Sequence, residues 1–284
     1  MDGIIIINKP QGFTSHDVVN IVKKTLNISK VGHTGTLDPN ATGVLPILIG
    51  KATKISKYLI EHDKEYIATI SFGEKKDTGD SEGETIEKDE NAEAILRKLN
   101  NKDIEKILDS FLGKQKQMPP IYSAIKVGGK KAYEYARKGQ EVNLKPRDIE
   151  IYNIELLNKN NNLVTFKVLC SKGTYIRTLC EDIAKKCGTI GYMSKLIRTR
   201  VNKFKIENAI NLEDVKKCKI ITIEDIFIDN EKIELPDKKV SLFLNGVKLK
   251  YELTNGIYRI YNNNKFLGLG ILQNNLLKRD VILE

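Results

Sequence analysis

The period at which apolar residues return changes several times along the chain, and each change marks an element. Ile4 to Asn8 opens with an unbroken apolar run, as expected of a buried strand, and Lys9-Pro10-Gln11-Gly12 supplies the turn after it. Thr14 and Asp17 form a capping box ahead of Val18, Val19, Ile21, Val22 and Leu26, which predicts an amphipathic helix. Strands are predicted at residues 66–72 and 163–170, and two polar helices near 91–99 and 101–112. After the turn SKGT, Ile176, Leu179, Cys180, Ile183, Ala184 and Cys187 recur at helical spacing. From Pro236 the texture shifts to short β-like runs at 240–244, 257–261 and 266–272, separated by Asn-Gly and Asn-Asn turns. These predict a small all-β unit behind a polar linker near 229–238. Residues 73–87 are acidic and glycine-rich without the alternating acids of a calcium loop, and read as a mobile surface loop.

At 284 residues the chain has room for one large core with a small appended unit, and its net charge of +10 favours a polyanionic partner, nucleic acid ahead of membrane. Residues 118–140 sharpen that expectation: Tyr122, Tyr133 and Tyr135 alternate with Lys126, Lys130, Lys131, Arg137 and Lys138, a mixture that meets bases and phosphates together. A solvated basic helix with inward tyrosines would show the same pattern. The four cysteines and three histidines lack the spacing of a zinc site, so no metal is expected. Gly50-Lys51-Ala52-Thr53-Lys54 resembles a phosphate-binding loop, but Gly43 lies too far upstream and Ala52 replaces the hydroxyl, which argues against a nucleotide site. The N-terminal apolar run is too short for a signal or membrane segment, and a reduced, cytoplasmic setting is expected.

The most informative stretch is GHTGTLDPNATGVLP, residues 32–46. Between Val31 and Gly50 the only charged residue, His33 aside, is Asp38. A solvated loop normally carries several charges, so this one reads as partly buried, with glycines that admit a close approach by backbone or ligand. Asp38 is then either a candidate nucleophile or general base, or an Asp-Pro turn residue. Arg177 is the second oddity. In the first turn of its helix a cation opposes the dipole, and Glu181 offers it only the weaker order of pairing. A carboxylate partner elsewhere in the chain would account for it.

NKPQGFTSH, GHTGTLDPNATG, KEYIA, PPIYSAIKVGGKKAYEYARKG, CSKGTYIRTL and LIRTRV stand in the order found in bacterial tRNA pseudouridine synthase B, and the chain resembles that family nearly end to end. The resemblance implies an α+β fold with a mixed, largely antiparallel sheet flanked by helices over residues 1–230, with a basic, thumb-like segment at 118–140. A PUA-like RNA-binding domain would follow at 236–284. It implies conversion of the T-arm uridine at tRNA position 55 to pseudouridine by base flipping, without cofactor, metal or protein partner, by a monomer. In such a site Asp38 would be the nucleophile, Tyr66 would stack on the target base and assist proton removal, and Arg177 would pair with Asp38. His33 would fill the space left by the flipped nucleotide, Tyr175 and Leu196 would line the uracil pocket, and Lys9 with Pro10 would support it. The chain departs from the family at Asn202, where glycine is usual, and at Ile197, where arginine is common. Asn tolerates the left-handed turn glycine would make.

Two other function classes fit parts of the sequence. A nucleoside or glycoside hydrolase would need a second carboxylate and an activated water, and the stretches around Asp38, Tyr66 and Arg177 offer no obvious second acid. An RNA-binding or RNA-folding module without turnover would leave Asp38 dispensable. A guide-RNA-dependent relative ranks low, since the chain has its own basic thumb-like segment and no long tails.

Overall fold

The computed structural model describes residues 1–60 and 62–283. Among them, nine strands join one sheet whose long members run in the order Gly3–Lys9, Thr42–Ile49, Gly191–Val201, Lys64–Phe72, Leu163–Cys170, Arg147–Asn160 and Gly113–Gln117. Val31–His33 and Phe204–Lys205 pair alongside. Thr42–Ile49 runs parallel to Gly191–Val201, and the other pairings are antiparallel. This is the mixed, largely antiparallel sheet with flanking helices that the family resemblance implied.

The apolar run of Gly3–Lys9 is continuous because both faces of the strand are covered. Ile4 and Ile6 join a core with Val44, Leu48 and Phe227, whereas Ile5 and Ile7 join one with Val18, Val22 and Ile47 from the other side. The helix Ser15–Leu26 begins at the predicted capping box and ends at Asn27, which takes the left-handed conformation with φ 52°. A third core gathers Tyr66, Ala68, Ile70 and Phe72 from alternate positions of their strand against Val164, Phe166 and Val168 and helix residues Leu179 and Ile183.

A second sheet, ordered Lys232–Glu234, Gly256–Asn262, Lys265–Gln273, Leu276–Ile282 and Leu249–Lys250, closes the C-terminus. Its two tight hairpins turn on Asn263-Asn264 (φ 49° and 61°) and Asn274-Asn275 (φ 52° and 58°), the doubly left-handed geometry that matches strand twist. Leu269 and Val281 of this sheet enter the same core as Ile4, Val44 and Phe227, and Asp280 bonds to Lys57 and to the Tyr58 hydroxyl. No helix of the described residues is long and apolar enough to cross a membrane.

Three expectations are corrected. Residues 240–244 are the end of a helix, Asp237–Leu244, not a strand. Val240, Phe243 and Leu244 face the sheet at helical spacing while Ser241 and Leu242 are exposed, so burial selected the 3.6 period over a short apolar run. The supposed linker at 229–238 contains Lys232–Glu234, which pairs parallel to Gly256–Asn262. Residues 73–87 are not a solvated loop: Glu74–Lys76 pairs with Thr85–Lys88, and Asp80, between them, is buried with its backbone bridged to Met193.

Candidate active site

A cleft of about 720 Å³ opens where the Asp38 loop, the start of Lys64–Phe72, the middle of Gly191–Val201 and the start of the helix Ile176–Lys186 converge. Asp38, Tyr66, Tyr175, Arg177 and Leu196 all line it. From residues 118–140, Tyr122, Ser123, Ala124 and Tyr133 line it, while Lys126, Lys130, Lys131, Arg137 and Lys138 are exposed. Tyr133 stacks under two of these cations, 5.5 Å from Lys131 Nζ and 5.4 Å from Arg137 Cζ.

The peptides flanking Asp38 are held on both sides. Ser15 Oγ accepts from the Leu37 N–H at 2.9 Å and donates back to its carbonyl at 3.2 Å. On the far side, the Pro39 carbonyl accepts from the Gly12 N–H at 3.0 Å and from Lys9 Nζ at 2.9 Å. Lys9 is fully buried and also donates to the carbonyls of Pro10 (2.9 Å) and Phe13 (2.6 Å), so its ammonium fastens the Lys9–Gly12 turn to the Asp-Pro turn. Burial is the main force pushing its pKa down to about 8.

Arg177 explains its own unfavourable place in the helix. Nε lies 3.2 Å from Asp38 Oδ2 and Nη2 3.5 Å from Oδ1. Nη2 also donates to the Tyr122 carbonyl (2.9 Å), and Nη1 donates to the Thr78 carbonyl (3.0 Å) and lies 3.6 Å from Asp80 Oδ2. One guanidinium therefore serves two carboxylates and two carbonyls, a distribution available to its planar fork and not to a lysine. The helix start is fixed by a two-way clasp: the Tyr175 N–H donates to Gln117 Oε1 (2.8 Å), and Gln117 Nε2 donates to the Tyr175 carbonyl (3.0 Å). Asp38 keeps 36% of its side-chain surface open to the cleft, whereas Arg177 and Asp80 each keep 9%. Burial raises the Asp38 pKa, Arg177 opposes that, and Asp80 adds to it. The result is a carboxylate more basic than an exposed aspartate and still aimed by a cation.

Tyr66 is buried on the facing wall, and burial pushes its hydroxyl up to about 12. Leu196 lies two residues from Arg198 on the neighbouring strand, with Ala68 and Tyr66 as their respective cross-strand partners. His33 sits in Val31–His33, outside the lining of the cleft; burial and the charges of Arg198 and His16 lower its pKa, and its Nδ1 is buried without a hydrogen-bond partner. Pro10 is half-buried beside Lys9. Asn202 takes φ 51° in the turn between Gly191–Val201 and Phe204–Lys205, and half-buried Ile197 pairs with Thr42 and Ile67. Among the described residues no cluster of His, Cys, Asp or Glu could hold a metal.

Sequence reading missed Asp80, Gln117 and Arg198. Asp80 lies in a stretch whose acidity suggests solvent, and nothing local distinguishes it from Asp77 or Glu82. Arg198 left a signal, because the two-residue period of a strand puts it on the face of Leu196.

The TruB family pseudouridylate synthase N-terminal domain profile matches residues 23–176, and two profiles of the family's C-terminal domains match 177–233 and 232–279. The chain is 47% identical over 280 residues to the tRNA pseudouridine synthase B of Clostridium tetani, covering 95% of each. It is 44% identical over 278 residues to that of Caldanaerobacter subterraneus subsp. tengcongensis, covering 96% of each. Among solved structures, one of an H/ACA RNP bound to a substrate RNA containing 2′-deoxyuridine aligns with a TM-score of 0.70 and 25% identity, over 99% of this chain and 85% of that one. A Cbf5-Nop10-Gar1 complex aligns with a TM-score of 0.69 and 27% identity, over 99% and 83%. By profile, by sequence along nearly its whole length and by fold, the chain belongs to the TruB family of tRNA pseudouridine synthases, isomerases of uridine.

Proposed function

We propose that the chain converts the uridine at position 55, in the T arm of tRNA, to pseudouridine, with Asp38 as its nucleophile. The observation that carries this reading is the accessible Asp38 carboxylate held in the Arg177 fork in the same cleft as the Tyr66 ring. The reaction breaks the N1–C1′ bond, keeps the uracil, and joins C5 to C1′. An attacking carboxylate allows that exchange, whether it meets the sugar or the base, and no second base is needed to hold the ring. The ring then loses its C5 proton, a step that Tyr66 assists, and N1 gains one.

A base in a folded arm must leave its stack to reach a buried acid. Tyr66 offers the stacking face, Tyr175 and Leu196 bound the uracil, and His33, five residues before Asp38, takes the space the nucleotide leaves. Lys9 and Pro10 hold the loop that carries Asp38. The basic residues of 118–140 and the C-terminal domain, whose sheet begins at Lys232, supply RNA contacts, and the enzyme acts as a cytoplasmic monomer without guide RNA, protein partner or metal.

Asp80 is the second acid a hydrolase would need, but its position speaks against that role. It is buried and spends its charge on the guanidinium that Asp38 uses, whereas an inverting hydrolase sets its acids on opposite sides of a water. The test is incubation of purified protein with unmodified tRNA transcript, without guide RNA, and mapping of pseudouridine by carbodiimide-primer extension. Modification of the T-arm uridine is expected; its absence overturns the proposal, and release of free uracil would favour the hydrolase.

A further inference from the structure

The charge that this scheme leaves unused is Arg198. It is 1% exposed, in the middle of Gly191–Val201, and donates to carbonyls: Val44 from Nε (2.8 Å), Gly35 from Nη2 (3.0 Å) and Thr36 from Nη1 (3.4 Å). Burying a guanidinium against carbonyls alone is costly, because dipoles replace only part of its hydration. The strand that carries it packs directly on the Asp38 loop. Gly35 and Gly43 both adopt positive φ, a Cβ at Gly35 would touch Arg198 Nη1, and one at Gly43 would collide with the Arg198 backbone.

The direct cross-strand partner of Arg198 is Tyr66. The guanidinium and the phenol are near enough for each to alter the other's ionisation. The other titratable groups acting on the phenol are Cys170, on the next strand, whose thiol burial pushes up to about 12, and Asp38 on the loop. Arg198 in turn acts on Lys64, on the strand of Tyr66, on Lys9 and on His33. Arg198 and Tyr66 thus pair directly across the sheet and line the same cleft, and burial is what makes the phenol reluctant to ionise.

We infer that Arg198 is a positioning residue that acts on the reaction through Tyr66, holding its hydroxyl at the ring and balancing the charge on its oxygen during removal of the C5 proton. The inference rests on the proposed function. In that step the hydroxyl has already released its own proton to solvent. The phenolate takes the hydrogen of C5 as a proton, the C5–H electron pair restores the C5=C6 double bond, and N1 is protonated from solvent. A buried phenolate without a facing cation would be rarer by the ratio that a general base contributes.

The test is a double-mutant cycle read by single-turnover pseudouridine formation on unmodified tRNA between pH 6 and 10. The variants are R198Q, R198K and Y66F, and each Arg198 change combined with Y66F. R198Q is expected to slow the reaction about 100-fold at neutral pH and to regain rate as the pH rises. R198K keeps the charge but not the fork, and is expected to lose about tenfold. Once the Tyr66 hydroxyl is absent, either change should cost less than about threefold, because the coupled partner has gone. Equal losses with and without the hydroxyl, with parallel pH profiles, would mean that Arg198 only braces the Asp38 loop and would overturn the inference. If R198Q fails to melt cooperatively, the same cycle with R198K decides. A wild type that forms no pseudouridine overturns the proposed function instead, so the two failures are distinguishable.

Discussion

Replacing Asp38 by Asn removes the proposed nucleophile while preserving its shape, and the structure sets the magnitude of the side effects. Stripping one partner from a buried ion pair costs about 3–5 kcal/mol when the other charge is left alone. Arg177 is not left alone: Asp80 and the carbonyls of Thr78 and Tyr122 remain within 3.6 Å of it. Asp38 also keeps 36% of its side chain in solvent, which screens the pair. Its pKa is raised in the folded protein, so ionised Asp38 is less favoured there than in the unfolded chain, and the contribution to stability declines as the pH rises through that raised value. At neutral pH the substitution should therefore shift stability by no more than about 1 kcal/mol, a change of about 4 °C or less in melting temperature. Affinity for tRNA should stay within about tenfold, or 1.4 kcal/mol, since phosphate contacts supply most of it. Pseudouridine formation should fall to background. Calorimetry, filter binding and single-turnover mapping on one preparation decide the matter. Turnover near the wild-type rate would reduce Asp38 to a turn residue, and a melting temperature lowered by about 10 °C would refute the claim that Asp80 and the two carbonyls satisfy Arg177.

Three further outcomes follow from the same geometry. Tyr66→Leu should bind tRNA almost normally and lose most turnover, and Tyr66→Phe separates stacking from proton removal: full activity in single-turnover assays would exclude the hydroxyl. Asp80→Asn removes a negative neighbour that raises the Asp38 pKa, so the acid limb of the pH–rate profile should move to lower pH, and an upward shift would contradict the coupling through Arg177. Deleting residues 236–284 uncovers the core that Leu269 and Val281 share with Ile4, Val44 and Phe227, and should lower the melting temperature of the remaining chain as well as its RNA affinity. An unchanged melting curve would show that the two units are independent.

Much of this protein was legible residue by residue because the signals are local. The capping box at Thr14, the alternation along residues 66–72 and the asparagine turns at 263–264 and 274–275 each depend on neighbours a few positions apart, which is the range of a backbone preference. The Asp38 loop was legible for a related reason: a stretch that refuses charge and keeps one acid declares its burial in composition alone. Arg177, placed against its helix dipole, announced a distant partner without identifying it.

The tertiary structure decided who the partners are. Asp80 lies 97 positions from Arg177 in a segment whose composition suggests solvent, and only the pairing of residues 73–88 and the bridge to Met193 bring it in. Helix won over strand at 240–244 because the face offered by the C-terminal sheet accepted Val240, Phe243 and Leu244 together, a choice no five-residue apolar run contains. Arg198 reaches both the Asp38 loop and Tyr66 because the parallel pairing with Thr42–Ile49 and the antiparallel pairing with Lys64–Phe72 meet on its strand. Propensity acts over a few residues, whereas the energies that place a buried charge depend on every group that closes around it, and those groups are assembled only by the fold.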